Sequence, residues 1–317
     1  MSRTKFIQRI FCVVLLSFSG SLSAAEVGGF MFNALPANII SNVLRIDAIK
    51  AYDDSMRQVD AICRKIANKL ASVYRSDCQF RGLETSGGYS VNGLPVIVKE
   101  FGPKKGIEPM AKVLLIGGMH GDELSSVSIV FKWMNLLDQY HSGQFHWRVV
   151  PVMNPDGLLQ RRSKRTNKNG VDLNRNFPTP NWQAESEKSW NKTLRNPRRY
   201  PGDKPLSEPE TRWLAKYIAE FDPDVIVSVH APFGVVDFDG PYQAPTHFGP
   251  LQLNLLGTYP GSLGNYAGVQ KNIPVVTIEL ASSGRMPTQR EIVLILRDLV
   301  AWMEANVTSR RERAQKG

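Results

Sequence analysis

Apolar residues along the chain alternate between the spacing of helices and the short runs typical of buried strands. Helical spacing predicts one long amphipathic helix, or two, over residues 36–80. Apolar runs predict strands at residues 95–98, 112–118, 147–153, 224–229 and 274–280, and amphipathic stretches predict helices at 124–140, 208–221 and 288–305. This alternation predicts an α/β fold with a mostly parallel central sheet.

The polar connections complete this pattern. Residues 91–94 (Val-Asn-Gly-Leu) predict a β-hairpin, and Ser207 ahead of Pro209 predicts a helix cap. A basic stretch rich in asparagine and proline, from residue 154 to about residue 205, predicts a long loop region. Because open parallel sheets bind ligands beyond the carboxyl ends of their strands, we expect the functional site at that edge.

The first 25 residues have the pattern of a secretory signal peptide. Three basic residues precede a short apolar stretch at residues 11–19, and small residues follow at 23–25, so we expect cleavage after Ala25. An uncleaved membrane anchor is the alternative, although the apolar stretch is short for a membrane span. After residue 30 no apolar run reaches the ~18 residues of a spanning helix, so we expect no stable membrane span.

Composition and charge are those of a globular protein with anionic partners. The chain has 317 residues, 42% of them hydrophobic, and a formal net charge of +10. Residues 1–25 hold three basic and no acidic residues, so their removal lowers the charge by three to +7. A basic surface favours partners such as cell-wall peptides, anionic glycans or lipid headgroups. The basic runs lack interleaved aromatic residues, so we expect no nucleic-acid binding.

Two cysteines, Cys63 and Cys78, remain in the predicted mature chain. In an oxidising compartment they predict a disulfide, which would stabilise the fold by about 3 kcal/mol. Two buried free thiols are the alternative.

A histidine and a carboxylate, His120 and Glu123, follow the predicted strand 112–118 at a spacing of three. Both side chains would point above the sheet, and imidazole with carboxylate is a ligand set that suits zinc. Taken alone, this spacing is also explained by chance or by a capping carboxylate. His230 ends the strand 224–229 and is expected at the same edge, whereas the three other histidines lie in polar or loop contexts. The three residues together predict a zinc site.

Glu279 interrupts the apolar strand at residues 274–280, where a buried, unpaired carboxylate would be costly. One explanation is that the outer face of this strand is solvated. The functional interpretation is a general base that activates an attacking water beside the metal.

Basic and amide side chains are interleaved between residues 154 and 178, rather than clustered as in a solvated run. Arg175 beside Asn174 would suit bidentate capture of a substrate carboxylate. Arg165 would stabilise a developing oxyanion, and Asp172 would orient a metal-binding histidine. An exposed basic loop is the alternative explanation.

Five ordered motifs resemble those of the zinc carboxypeptidases. They are His120-x-x-Glu123, residues 154–157 (Asn-Pro-Asp-Gly), residues 170–177 (Gly-Val-Asp-Leu-Asn-Arg-Asn-Phe), His230 and residues 277–280 (Thr-Ile-Glu-Leu). The resemblance covers roughly residues 90–300 and points to the compact bacterial branch of murein peptide amidases. It implies a three-layer α/β/α fold with a central, mostly parallel mixed sheet.

The resemblance also implies roles for the residues that match these motifs. The His-Glu-His set would bind one zinc ion per chain, and Glu279 would act as general base and acid. Arg165 would hold the oxyanion, and Asn174 with Arg175 would hold the terminal carboxylate of a peptide substrate. Asp172 is then the residue that orients a metal ligand.

A mobile tyrosine over the substrate is a further family feature. Tyr259 is the candidate and Tyr266 competes with it, and an ordinary packing tyrosine is the alternative for Tyr259. Residues 263–264 carry no acidic side chain, where a carboxypeptidase acting on basic residues would be expected to have one.

These interpretations divide the chain into a signal peptide (1–25), an N-terminal helical segment packed on the main domain (26–85), a catalytic domain (86–307) and a basic tail (308–317). The signal-peptide pattern predicts a periplasmic or secreted protein, and we expect a monomer. For an exported protein, the resemblance implies hydrolysis of the γ-D-glutamyl–meso-diaminopimelate bond of peptidoglycan stem peptides. A secreted metallocarboxypeptidase that removes C-terminal L-amino acids is the first alternative. An inactive peptide-binding module on the same fold is the second.

Overall fold

The computed structural model describes residues 37–79 and 82–307. The predicted signal peptide at residues 1–25 and the predicted basic tail at 308–317 lie outside these residues. The chain divides into two compact units, of which the first ends at Gln58 and the second begins at Val59. The described part of the first unit is helical, and the second unit contains the sheet and the site.

Helices and strands mostly occur where the apolar pattern predicts them. The helices are α1 (Ala37–Lys69), α2 (Ser76–Gln79), α3 (Leu124–Tyr140), α4 (Pro155–Leu159), α5 (Trp182–Lys192), α6 (Pro209–Phe221) and α7 (Gln289–Asn306). The strands are β1 (Glu84–Tyr89), β2 (Pro95–Phe101), β3 (Ala111–Ile116), β4 (Phe145–Val150), β5 (Val225–His230), β6 (Val235–Asp239), β7 (His247–Phe248), β8 (Leu251–Leu253) and β9 (Val275–Glu279). Short 3-10 helices lie at Leu173–Arg175 and Pro197–Arg199, and a π-helix at Gly264–Val269.

The strands form one mixed sheet in the order β1-β2-β4-β3-β5-β9-β6-β8-β7. The central strands β4, β3, β5 and β9 run parallel to one another. Antiparallel pairs flank them, with β2 beside β4 on one side and β6 beside β9 on the other. The structure therefore confirms the predicted mixed sheet with a parallel centre.

Helices cover both faces of this sheet. Along β3, Val113 and Leu115 point into one core, which contains buried residues of α3 and α7. Leu114 and Ile116 point into a second core, which contains buried residues of α6. Alternate side chains of a strand point to opposite faces, so these two cores make three layers, as predicted.

The structure differs from the sequence prediction in two regions. The predicted loop from residue 154 to about 205 contains α4 and α5, and α5 has little apolar periodicity because it buries only Trp182 and Ser186. Strands β7 and β8 were not predicted because they have only two and three residues, and β6 was not predicted because two aspartates interrupt its apolar run.

The predicted cap of α6 is also wrong. Glu208, rather than Ser207, is the N-cap residue, and its side chain makes no capping hydrogen bond. The Ser207 hydroxyl instead donates to Glu208 Oε1 over 2.7 Å. The hydroxyl is therefore used by a neighbouring carboxylate and not by the helix terminus.

Cys63 of α1 and Cys78 of α2 are joined in a disulfide, with their Cα atoms 5.6 Å apart. Both side chains are buried in the core beside α3. Within residues 37–79 and 82–307, no helix combines the length and the apolar character needed to cross a membrane.

Candidate active site

Three neighbouring parallel strands bring the candidate ligands to one edge of the sheet. His230 is the last residue of β5 and pairs in register with Glu279, the last residue of β9. His120 follows β3 through a short turn, and Glu123 is the residue directly before α3. This is the carboxyl-terminal edge, where the sequence predicts the site.

The three predicted metal ligands converge on one point. The Nδ1 atoms of His120 and His230 are 3.1 Å apart. Glu123 Oε1 lies 2.8 Å from His120 Nδ1, and Glu123 Oε2 lies 3.1 Å from His230 Nδ1. All three side chains are buried, and Glu123 makes no capping hydrogen bond to α3. Two imidazole nitrogens and a carboxylate form a donor set that fits a catalytic zinc ion.

Each histidine is oriented by a partner on its other ring nitrogen. His120 Nε2 lies 3.0 Å from Asp172 Oδ1, and His230 Nε2 lies 3.0 Å from Ser228 Oγ. Such partners fix the ring orientation and the tautomer of a metal-binding histidine. They leave both Nδ1 atoms facing the common centre, and Asp172, the residue predicted to orient a metal ligand, contacts His120.

Opposite charges compensate one another around this centre. Burial raises the pKa of the Glu123 carboxyl, but the imidazoles of His120 and His230 outweigh burial and hold this pKa below its usual range. Burial likewise raises the pKa of Asp172, and the opposing effects of Arg165 and His120 keep it well below the usual value. Both carboxyl groups are therefore ionised at neutral pH, which is the form that binds a cation or orients an imidazole.

Glu279 is buried rather than solvated, with 7% of its surface exposed. Its Oε2 atom has no hydrogen-bond partner among the described residues. Burial raises the pKa of this carboxyl. A buried oxygen without a partner needs a water, cation or substrate group in the cavity, and a raised pKa suits a general base.

Arg165 lies between two of the site carboxylates. Its Nε donates to Asp172 Oδ2 over 2.9 Å, and its Nη1 donates to Glu123 Oε1 over 3.3 Å. The guanidinium lines the same cavity as His120 and Glu279. The structure thus brings this arginine to the metal site.

The predicted carboxylate-binding pair is also in the cavity. Arg175 is buried, and its guanidinium lies 4.2 Å from the centre of the Tyr259 ring. Burial lowers the pKa of Arg175 to about 10, so the side chain stays cationic at neutral pH. Asn174 Oδ1 accepts a hydrogen bond from the Leu263 amide over 2.8 Å.

The structure separates the two tyrosine candidates. Tyr259 has 43% of its surface exposed and lines the cavity beside Arg175. Tyr266 is buried and stacks on Phe177, with ring centres 5.4 Å apart. Of the two candidates, only Tyr259 lines the cavity.

The cavity has a volume of about 420 Å³ and contains charged residues that the sequence analysis did not single out. Arg198 and Arg199 enter it from a 3-10 helix, and Asp237 and Asp239 enter it from β6. The available signal was two carboxylates at alternate positions of the apolar run Val-Val-Asp-Phe-Asp. Such alternation places both carboxylates on one face of a strand.

Comparisons with known proteins agree with this geometry. The family model described as zinc carboxypeptidase matches residues 83–244, just over half of the chain. Murein peptide amidase A of Escherichia coli strain K12 is 33% identical over 197 residues, which are 60% of this chain and 79% of that protein. The human carboxypeptidase N catalytic chain is 30% identical over 220 residues, which are 60% of this chain and 43% of that one.

Two solved structures are similar to this chain. The crystal structure of murein-tripeptide amidase MpaA from Escherichia coli O157 is 32% identical, with a TM-score of 0.49 over 64% of this chain and 85% of that chain. Bovine thrombin-activatable fibrinolysis inhibitor, solved in complex with tick carboxypeptidase inhibitor, has a TM-score of 0.50 and 19% identity over 67% of this chain and 84% of that chain. At this low identity, the second similarity concerns the fold alone.

Proposed function

The chain belongs to the zinc carboxypeptidase family and is a metallopeptidase, and from this premise we propose that it hydrolyses peptidoglycan stem peptides. The bond in this proposal is the amide between γ-D-glutamate and meso-diaminopimelate. Similarity to murein peptide amidase A over 79% of that protein supports a murein peptide as substrate.

The arginines of the cavity favour this substrate over an ordinary L-peptide. Four of them, Arg165, Arg175, Arg198 and Arg199, line the cavity. A stem peptide carries the α-carboxylate of γ-linked D-glutamate beside the scissile bond and two further carboxylates on diaminopimelate. An ordinary L-peptide brings only its terminal carboxylate to that position. Two of the four already have carboxylate partners within the protein, since Arg165 pairs with Asp172 and Glu123, and Arg198 pairs with Asp122. Because guanidinium groups bind carboxylates in bidentate pairs, Arg175 and Arg199 would bind carboxylates of the stem peptide.

Zinc and the residues around it would divide the chemistry between them. When bound by His120, Glu123 and His230, zinc would polarise the scissile carbonyl and lower the pKa of the attacking water. Glu279 would accept a proton from this water and pass it to the leaving nitrogen. Arg165 would donate hydrogen bonds to the oxyanion that develops as the carbonyl is attacked.

Substrate binding would make the cut a carboxypeptidase-type reaction. Asn174 and Arg175 would hold the terminal carboxylate, so that only the C-terminal residue is released. Tyr259 would lie over the substrate, where its ring already contacts the Arg175 guanidinium.

Export is part of the proposal, because peptidoglycan lies outside the cytoplasm. The signal-peptide pattern of residues 1–25 supports it, and so does the disulfide between Cys63 and Cys78, since disulfides persist in oxidising compartments. Mass spectrometry of the protein recovered from the periplasm or medium of producing cells should find a chain that begins at Glu26. A full-length chain found only in the cytoplasm would contradict export.

The substrate is tested by incubating the purified protein with L-Ala-γ-D-Glu-meso-diaminopimelate and with ordinary L-peptides, and analysing the products by mass spectrometry. We expect release of diaminopimelate that a zinc chelator abolishes. The variant Glu279→Gln should lower the turnover by about 10²- to 10⁴-fold while it retains zinc.

Two results would contradict parts of this proposal. Hydrolysis of the L-peptides alone would assign the protein to the secreted metallocarboxypeptidases that act on L-amino acids. Unchanged turnover in the Glu279→Gln variant, with zinc bound, would remove Glu279 from the mechanism.

A further inference from the structure

A second cavity lies beside α5, separate from the catalytic cavity described above. Three aromatic side chains line it, those of Trp182, Trp190 and Tyr200, and we call it the aromatic cavity. The rings of Trp190 and Tyr200 are in contact, with centres 4.9 Å apart and planes inclined at 48°. The cavity has a volume of about 250 Å³. Because a cavity of about 150 Å³ accommodates benzene, the aromatic cavity has room for one six-membered ring with its substituents.

Hydrogen bonds within the protein already use the polar atoms of these two rings. The indole nitrogen of Trp190 donates to the carbonyl oxygen of Asn196 over 2.9 Å. The hydroxyl of Tyr200 donates to Asp203 Oδ1. The rings therefore offer a ligand mainly flat, apolar surface, and their orientation is fixed before a ligand binds.

One polar atom in the wall of the aromatic cavity has no partner. Ser186 is 3% exposed, and its Oγ atom makes no hydrogen bond within the described part of the chain. A buried hydroxyl that lacks a partner is costly, so such a group needs a polar atom from whatever fills the adjacent space. Ser186 lines the aromatic cavity, and a polar group of a ligand there would supply this partner.

The charged residues of the lining favour a neutral ligand. Arg195 Nη2 lies 3.5 Å from Glu187 Oε1, and Asp203 accepts the hydrogen bond from Tyr200. Each charged side chain that lines the cavity thus has a partner, and none is left to pair with an ionic ligand. A neutral molecule with apolar faces and hydroxyl groups at its edge matches flat rings and an unpartnered hydroxyl. A sugar in its pyranose form has this chemistry.

The aromatic cavity lies next to the substrate-binding residues. A smaller cavity of about 20 Å³ shares Ser186 and Trp190 with the aromatic cavity, and Arg175 and Tyr259 with the catalytic cavity. The indole nitrogen of Trp182 also donates to the carbonyl oxygen of Arg175 over 3.0 Å. A ligand in the aromatic cavity would therefore lie close to a peptide held by Arg175.

We propose that the aromatic cavity binds a sugar ring of peptidoglycan. This inference rests on the proposed function, because it adds the glycan to the stem peptide as a ligand of the same protein. Two sources supply such a ring. One is the muramic acid joined to the L-alanine of the peptide that is cleaved, and the other is a neighbouring glycan strand.

Binding of a sugar without a peptide tests the cavity separately from catalysis. The probe is the β-1,4-linked trimer of N-acetylglucosamine, and isothermal titration calorimetry measures its affinity for the zinc-loaded protein. We expect saturable binding. Trp190→Ala should weaken it by about 10-fold or more, because it removes a flat wall, whereas Trp190→Phe should retain most of the affinity.

Ser186→Ala is the second variant, and it should weaken binding by about 2- to 10-fold, the range of one hydrogen bond. Because the hydroxyl has no partner within the described part of the chain, its removal should not lower the Tm. Tyr140→Ala is the matched control, since it removes an exposed aromatic ring at the end of α3, and it should keep the affinity. Thermal unfolding of each variant would establish that it is folded.

Kinetics identify the source of the sugar. The KM is compared for L-Ala-γ-D-Glu-meso-diaminopimelate with and without muramic acid on the alanine nitrogen. A lower KM for the muramyl peptide that disappears in Trp190→Ala would assign the sugar to the substrate, whether or not the trimer binds. Equal KM values together with binding of the trimer would assign it to a neighbouring glycan strand.

The outcomes separate this proposal from the proposed function. If the trimer binds through Trp190 but neither stem peptide is cleaved, the sugar site stands and the stem-peptide proposal fails. Cleavage with equal KM values and no binding of the trimer would overturn the sugar site alone. Equal affinities in wild type and Trp190→Ala would also overturn it, as would an equal loss in Tyr140→Ala.

Discussion

At the residue scale, the site depends on which atom of each side chain is already occupied by a neighbour. Asp172 and Ser228 bind the Nε2 atoms of the two histidines, and this leaves their Nδ1 atoms 3.1 Å apart and facing Glu123. Spacing in the sequence predicts which residues carry the chemistry. It does not predict which ring nitrogen faces the metal position, because that depends on partners distant in the chain.

The variant Asp172→Asn should lower the affinity for zinc by about 10- to 100-fold. Asparagine keeps the shape of the side chain but removes the negative charge that faces His120 Nε2 and Arg165. Competition with a chromophoric chelator measures the zinc affinity directly.

Ser228→Ala is the matched control for this variant, because it removes a neutral partner from the other histidine. Its loss of zinc affinity should be smaller than that of Asp172→Asn. Similar losses in the two variants, or an unchanged affinity in Asp172→Asn, would contradict the proposed role of the Asp172 charge.

At the element scale, a buried carboxyl group joins the loop that carries Arg165 to the first turn of α6. Asn167 Nδ2 donates to Glu208 Oε2 over 2.7 Å and to Glu210 Oε2 over 3.2 Å. The amide of Val91 donates to Glu210 Oε1 over 3.3 Å. Glu210 is fully buried, and burial raises its pKa to about 7. The position of this loop is therefore coupled to a group that titrates near neutral pH.

The raised pKa of Glu210 makes the stability depend on pH. Between its ordinary pKa of 4.5 and its folded pKa of about 7, the folded protein binds more protons than the unfolded chain. The contribution of this group to the free energy of unfolding therefore falls as pH rises through that window. Glu210→Gln lacks the titration, so its free energy of unfolding relative to wild type should increase by about 2–3 kcal/mol between pH 5 and pH 8.

Urea unfolding at the two pH values, with a chelator present so that metal binding does not contribute, measures this difference. The exposed variant Glu304→Gln serves as control and should follow the wild-type dependence on pH. Parallel pH profiles for Glu210→Gln and wild type would show that Glu210 has an ordinary pKa in the folded protein.

At the scale of the whole molecule, the metal position joins segments that are far apart in the chain. His120 and Glu123 lie between β3 and α3, and His230 ends β5, which is next to β3 in the sheet. A bound ion is therefore linked to the folded arrangement of the central sheet, because the unfolded chain does not bring the three ligands together.

Removal of zinc should therefore lower the thermal stability. Zinc at about 100 times its Kd stabilises a protein by about 2.7 kcal/mol, which corresponds to about 5–10 °C in the Tm of a domain of this size. Calorimetry with and without a chelator measures the shift. The variant His230→Ala should lose the response to the chelator, whereas Glu279→Gln should keep it. An equal Tm with and without chelator in the wild-type protein would contradict this linkage.

The alternation of strands and helices follows from the sequence alone. So does the placement of His120, Glu123 and His230 after predicted strands and of Glu279 within one. These features are local. The spacing of apolar residues that distinguishes a helix from a strand involves only neighbouring positions, and so does a polar residue at the end of an apolar run. The ordered motifs pointed to the family for the same reason, because each motif is a short run with its own spacing. The predicted roles of the arginines also follow from such runs.

Which distant residues share the cavity depends on the tertiary structure. Tertiary packing buries Tyr266 and leaves Tyr259 partly exposed in the cavity. It also places Asp239 of β6 against Gly264, where the local sequence has no acidic residue. Strands β7 and β8 are too short for their own pattern to predict them. Each outer strand forms on the open edge of its neighbour, β6 on β9, β8 on β6 and β7 on β8. Contacts of this kind depend on the packing of segments that are remote in sequence, so the local pattern of apolar and polar residues does not predict them.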